Sequence, residues 1–220
     1  MPSQSTVTEA FGCLPFSLRN PEAKGSPSHA APAAFSVEVH ELGDPCRPLL
    51  ESLVQELYSK SYSAVIRAWM PVLASLSQRG CVTAVVGYRS ALEALYLEQY
   101  LRAPIEDVLE RVLGVKPGRE QVAEVGHFSA FAPGAGRVLI PKLGVHLRAK
   151  GFRWAVSTVT APLHALLLRS GYAPLLLGSA DPSFLPEGDY MDWGTYYQHN
   201  PVVVAVDLHS RKALERSHEH

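Results

Sequence analysis

The sequence is poor in cysteine: Cys13, Cys46 and Cys81 are the only three in 220 residues, and they are far apart. No C-x-x-C pair is present, which excludes the spacing of a zinc ribbon; so sparse and odd a count suits a reducing compartment. Charge of one sign is also scarce. The formal net charge is −1, so bulk attraction to nucleic acid or anionic lipid is not expected. Long hydrophobic runs are missing: the apolar stretch 173–178 falls far short of the roughly 20 residues of a membrane-crossing helix. The opening MPSQSTVTEAFG lacks a basic region followed by an apolar run, so no secretory signal is read and a cytoplasmic protein is expected. HExxH, the nucleophile elbow, GxGxxG and the P-loop are all absent. The nine histidines show no ligand spacing, so no catalytic metal is expected.

What is present describes a globular chain. Hydrophobic residues make up 47% and charged residues 19%, and a core of this size needs no disulfide staples. Residues 1–33 are rich in Ser, Pro and Ala without periodicity and read as a disordered tail. One domain is expected over 34–209, with a frayed end over 210–220.

Within that domain FSVEVHEL (35–42) alternates as a strand. Asp44-Pro45 marks the start of a helix reaching Tyr62. Residues 65–76 are interrupted by Pro71 and stay unassigned between helix and irregular chain. Strand 81–90 leads through a hairpin turn at Arg89–Ala91 into a second strand candidate, 91–100, whose leucines also permit helix. A helix follows at 103–114, then a strand at 121–131 with a bulge at Gly126. After a turn at 133–136 comes a helix over 137–151, which Pro141 should kink or delay. Strand 152–160, helix 161–171, an extended run 172–179, a polar aromatic loop 181–200 and a last strand 201–208 complete the order. The fold class is α/β: a mixed, mostly antiparallel central sheet with helices on both faces.

Three places can carry chemistry. The strand–turn–helix at 121–151 offers the main-chain amides of a helix start, glycines at Gly134 and Gly136 that let a ligand approach, and the cation Arg137. The alternative is an ordinary glycine-rich turn. From Arg111 to Arg153 eight basic residues oppose only Glu120 and Glu124, an excess that fits either an anion site or a solvated helix face. In the same strand, Glu124 lies among Val122, Val125 and Phe128; burial there raises a carboxylate pKa towards a general base. His127 is the neighbouring alternative and Glu98, at the end of its strand, another; for Glu124 the plain reading is an outward-facing carboxylate or a structural bridge to an arginine. The third place is Asp192-Trp193-Gly194-Thr195-Tyr196-Tyr197, which either plugs the core or lines an apolar cleft.

Read together, Gly87-Tyr88-Arg89, Leu97-Glu98-Gln99-Tyr100-Leu101, Pro104-Ile105-Glu106, Glu124-Val125-Gly126, Gly151-Phe152 with Trp154, Thr158 with Thr160, and Trp193-Gly194 with Tyr196-Tyr197 resemble the thermostable haemolysin family. The resemblance runs in order from about Val37 to Asp207, departing at His127, where the family pattern has Asn, and at Pro141. The family is in turn similar to the GNAT acyltransferases and to acyl-homoserine-lactone synthases. That similarity implies a GNAT-like fold in which strands 121–131 and 152–160 splay apart and an acyl thioester, from acyl-CoA or from phosphopantetheine on an acyl carrier protein, lies in the gap. It implies that Gly134, Ala135, Gly136 and Arg137 hold the pyrophosphate and that a main-chain amide near Phe128 or Ser129 polarises the thioester carbonyl. Glu124 or Glu98 then takes a proton from a small-molecule amine acceptor, and Tyr196 or Tyr197 returns one to the thiolate. The apolar strands, Thr158, Thr160 and Trp193 contact substrate, with Trp193 beside the acyl chain. The family name implies a rival: direct damage to membranes without acyl transfer.

Overall fold

The computed structural model describes residues 34–210; the expected tail over 1–33 and nearly all of the expected frayed end lie outside the described residues. Among the described residues one sheet of seven strands is formed: β1 (Ser36–His40), β2 (Val72–Gln78), β3 (Cys81–Ser90), β4 (Val122–Ala130), β5 (Trp154–Val159), β6 (Leu175–Ser179) and β7 (Val202–Asp207). Their spatial order is β1-β2-β3-β4-β5-β7-β6. All neighbours are antiparallel except β4 and β5, the mixed, mostly antiparallel sheet that the sequence predicts.

Alternation along the strands sorts side chains to two helical layers. On one face lie α1 (Arg47–Tyr62), α2 (Glu98–Leu101) and α3 (Ile105–Leu113). Leu50 and Val54 of α1 cluster with Leu73 and Val85, while Leu97, Ile105 and Leu109 cluster with Val122, Val156 and Val203. The other face carries α4 (Ala135–Ala149) and α5 (Ala161–Arg169). There Leu139, Leu143 and Leu147, spaced one helical turn apart, press on Leu76, Val86 and Ala123. A short α6 (Glu187–Asp192) precedes the aromatic loop.

Four local expectations need correction. The 65–76 segment contributes a strand: Pro71 stands immediately before β2, where its missing N–H leaves no gap in the ladder. The hairpin lies between β2 and β3, because Arg79 and Gly80 both take positive φ (54° and 76°), as a two-residue type I′ turn demands. Residues 91–97 form no strand; Leu95 and Leu97 are core side chains of a loop leading into α2. Pro141 sits inside an unbroken α4. The carbonyl it deprives of a partner belongs to Arg137, an exposed residue of the first turn where water can replace the bond.

Candidate active site

β4 and β5 are paired at three positions only: Val122 with Trp154, Ala123 with Ala155, and Glu124 with Val156. Beyond them β4 runs on to Ala130 against β3, and β5 runs on to Val159 against β7. The strands therefore part at Glu124 and leave a wedge. The divergence has a local cause. Gly126 pairs with Gly87 and Ser129 with Val85, so His127 and Phe128 together oppose Val86. Such a bulge bends and twists its strand. The left-handed residue in it is His127, at φ 53°, one position after the bulge expected at Gly126.

Two cavities meet in the wedge and share Tyr58, Gly126, His127, Thr158 and Tyr196 as a common wall. One, of about 230 Å³, lies between the end of α1 (Leu57, Ser61, Tyr62) and α5 and is lined also by Phe128 and Thr160. The other, of about 150 Å³, lies on the α1 face among Tyr58, Arg89, Tyr96, Glu124 and Trp193. A third, almost wholly apolar, sits between α4 and α5 and is bounded by Val125, Phe128, Leu143, Leu163 and Leu167.

Glu124 faces the α1-side cavity and is 4% exposed. Its Oε2 accepts the Tyr96 amide at 3.1 Å and its Oε1 the Leu97 amide at 3.0 Å; Arg89 Nε stands 3.3 Å away. Burial dominates and raises the carboxyl above its ordinary range, against the lowering by Arg89 and the two amides. His127 is also buried, packed on Trp69 with ring centroids 5.0 Å apart, and its Nδ1 has no hydrogen-bond partner among the described residues. Burial holds its pKa down to about 4, so the imidazole is neutral at pH 7.

Glu98 lies elsewhere. It ties loops together, accepting the Leu95 amide at 3.1 Å and the Ile105 amide at 2.8 Å, and meets Arg119 Nη1 at 2.6 Å. Burial alone would raise its pKa, but Arg119 and these amides outweigh it and hold the carboxyl below the ordinary range. Arg119 also bridges to Glu106 at 2.6 Å. Lys116 pairs with Asp107, and Arg153 with Asp207 at 3.6 Å. Three of the eight basic residues read from the sequence are thus engaged in ion pairs, and Arg111 and Arg148 donate to the main-chain carbonyls of Asp107 and Leu208. At the start of α4 the exposed Arg137 remains.

The turn before α4 is held by Gly134 at φ 78°, a conformation glycine adopts without steric cost. Ala135 N–H donates to Ala132 O at 3.2 Å and Arg137 N–H to Gly134 O at 3.0 Å. The amides of Gly134 and Gly136 have no acceptor among the described residues. Gly136 also serves packing, since a β-carbon there would lie 2.9 Å from Leu166 and 3.1 Å from Phe128. Ser129 is buried, and its hydroxyl lacks a partner among the described residues.

The aromatic loop closes the α1-side cavity. Tyr196 stands at the junction of the two wedge cavities, its hydroxyl 3.5 Å from Thr158 O, and burial keeps it protonated. Trp193 Nε1 donates to the Tyr96 hydroxyl at 3.0 Å, on the opposite face of the sheet from the apolar cavity. Tyr197 packs behind, its hydroxyl 2.6 Å from that of Tyr100. Sequence reasoning did not single out Tyr58, Arg89, Tyr96 or Tyr100 as site residues. Arg89 and Tyr100 stood within motifs that carried the resemblance, the one signal that pointed to them.

The family model described as thermostable hemolysin matches residues 40–211, and the chain belongs to that family. Among curated proteins none matches. The fold is shared with acyl-transferring synthases of known structure. FeeM, an N-acyl amino acid synthase from uncultured soil microbes, superposes with a TM-score of 0.57 at 11% identity, over 83% of this chain and 96% of its own. The AHL synthase LasI gives 0.54 at 12% identity, over 80% and 91%, and TofI in its apo form 0.51 at 13%, over 79% and 91%.

Proposed function

We propose that the chain transfers an acyl group from a thioester, acyl-CoA or acyl-phosphopantetheine on a carrier protein, to a small-molecule amine. The observation that carries this reading is the parting of β4 and β5 after Glu124, with two cavities meeting at the gap. A pantetheine arm is linear and carries amides, and two unpaired strand edges offer it hydrogen-bonding partners along its length. The Gly134 and Gly136 amides, at the positive end of α4, and the Arg137 guanidinium grip the diphosphate. The acyl tail enters the apolar cavity between α4 and α5. The amine enters from the aromatic cavity beside Glu124.

The reaction needs one proton removed and one returned. The amine nitrogen attacks the thioester carbonyl carbon. Its surplus proton passes to Glu124 directly or through a water, which burial has tuned towards this task. A main-chain amide of the bulge at Phe128, or the next at Ser129, donates to the developing oxyanion. The C–S bond breaks, the thiolate takes a proton from Tyr196, which recovers one from the protonated Glu124 through water, and an amide and a free thiol leave. Acyl-CoA and carrier proteins place this chemistry in the cytoplasm.

The test is thiol release by purified protein given acyl-CoA or an acyl carrier protein and a panel of amines, alongside erythrocytes given protein alone. Amine-dependent thiol release supports the transferase. Erythrocyte lysis by protein alone, without thiol release, supports the direct haemolysin that the family description suggests; among the described residues no helix is long and apolar enough to cross a membrane.

A further inference from the structure

At the far edge of the sheet from the wedge, three different metal-binding side chains converge. β1 ends at His40, which is 3% exposed. The chain then turns through residues 41–46 and returns Asp44 and Cys46 to the same place. The imidazole nitrogen, carboxylate oxygen and thiol sulfur all lie within 4.8 Å of one another. Donors around a tetrahedral zinc are about 3.3–3.8 Å apart, given bonds of about 2.0–2.3 Å, so side-chain adjustments well under the size of a methyl group close the gap.

The surroundings prepare these groups as ligands. His40 Nε2 is 3.0 Å from Ser75 Oγ, which fixes the ring and, with that nitrogen protonated, directs the lone pair of Nδ1 inward. Nδ1 itself is buried without a hydrogen-bond partner among the described residues, 3.3 Å from Asp44 Oδ2. An imidazole with one nitrogen anchored and the other open is the arrangement that supports metal ligation. Asp44 is oriented too: its Oδ1 accepts the Cys46 main-chain N–H at 2.8 Å, leaving Oδ2 towards the ring. Arg47, next in the chain to Cys46, is engaged with the carbonyls of His40, Met70 and Pro71 and with Glu51. The cavity bounded by these donors also reaches Glu38, on the same face of β1 as His40, so a fourth position is open to its carboxylate or to water.

We propose that His40, Asp44 and Cys46 bind a divalent cation of the zinc type. A set of one nitrogen, one sulfur and one oxygen donor is borderline-soft; it suits Zn²⁺ or Co²⁺ and disfavours Mg²⁺ and Ca²⁺, which take oxygen. Binding displaces the thiol proton of Cys46. The bound ion clamps the β1–α1 turn to the sheet edge. β2 and β3 separate it from β4, so its role is structural and independent of acyl transfer. The spacing H-x₃-D-x-C matches no common zinc motif, which is why the sequence alone predicts no metal.

Co²⁺ titration of the metal-stripped full chain tests this. The expected result is one equivalent bound, with a sulfur-to-cobalt charge-transfer band, tetrahedral visible bands, displacement by Zn²⁺ and a raised Tm. Cys46→Ser abolishes the charge-transfer band, and Asp44→Asn weakens affinity at least tenfold while circular dichroism stays native. Absence of the band in the native chain, its persistence in Cys46→Ser, or unchanged affinity in both variants overturns the proposal.

Discussion

Replacing Glu124 with Gln separates the catalytic from the structural role of that side chain. The carboxylate accepts two main-chain amides, from Tyr96 and Leu97, and pairs with Arg89. A Gln carboxamide keeps one acceptor oxygen and turns an NH₂ towards the other amide, so one buried N–H is orphaned, at a cost of about 1–3 kcal/mol. Relief from burying a charge works the other way, so a net loss near the lower end is expected. The kinetic effect is larger: losing a general base lowers kcat about 10²- to 10⁴-fold, with KM for the acyl donor little changed. Two pH signatures follow from the raised carboxyl. The wild-type kcat rises with pH through a value above the ordinary carboxylate range, and Glu124→Gln lacks that limb. The folded chain holds this proton more tightly than the unfolded chain. The associated stability is present below the unfolded pKa and is lost as pH rises through the folded one; Glu124→Gln lacks that slope as well. Urea melts across pH and steady-state thiol release measure the two effects separately. A natively folded Glu124→Gln protein with full turnover refutes the assignment.

Tyr196→Phe removes the proposed proton donor at the cavity junction. Because a thiolate already leaves well, a loss of only about tenfold in kcat is expected, shrinking for donors with more acidic thiols; a loss independent of thiol acidity contradicts the role. Gly194→Ala places a β-carbon 2.2 Å from Tyr62 O at a φ of 53°. The atoms it meets are main chain of Tyr62 and Ser63, which cannot swing aside, so about 3 kcal/mol or more of stability is lost, and a Tm within a degree of wild type contradicts the packing described. Glu98→Gln weakens the Arg119 tie. The stability from Glu98, present above the ordinary carboxylate pKa and lost as pH falls through its lowered value, disappears in pH-dependent melts, while the pH limb of kcat remains. Loss of that limb instead assigns the base to Glu98.

Much of the fold was legible because strand alternation and helix punctuation are local. Gly134 ahead of α4, and Thr160 ahead of α5 with Pro162 in its first turn, mark helix starts within a few residues. The β2–β3 hairpin was missed because Arg79-Gly80 lacks the Asn-Gly or Asp-Gly signature, although both residues adopt the same positive φ. Residues 91–97 misled for another reason: their leucines are buried by contacts with distant strands, not by a strand of their own. At the site, Glu124 was readable as a polar residue within an apolar strand. Its partners were not, since Tyr96 and Leu97 reach it through loop amides that carry no side-chain signal. The basic run illustrates the same limit: its sign was plain, but the pairing of Arg119 with Glu98 and Glu106 depends on tertiary structure.

The most direct test of the central claim is a crystal structure of the protein with an acyl-CoA. The expected structure has the diphosphate against the amides of Gly134 and Gly136, the thioester between β4 and β5, and its carbonyl carbon facing the cavity that holds Glu124. A ligand bound outside the gap, or β4 and β5 closed onto each other beyond Glu124 with the ligand excluded, contradicts it.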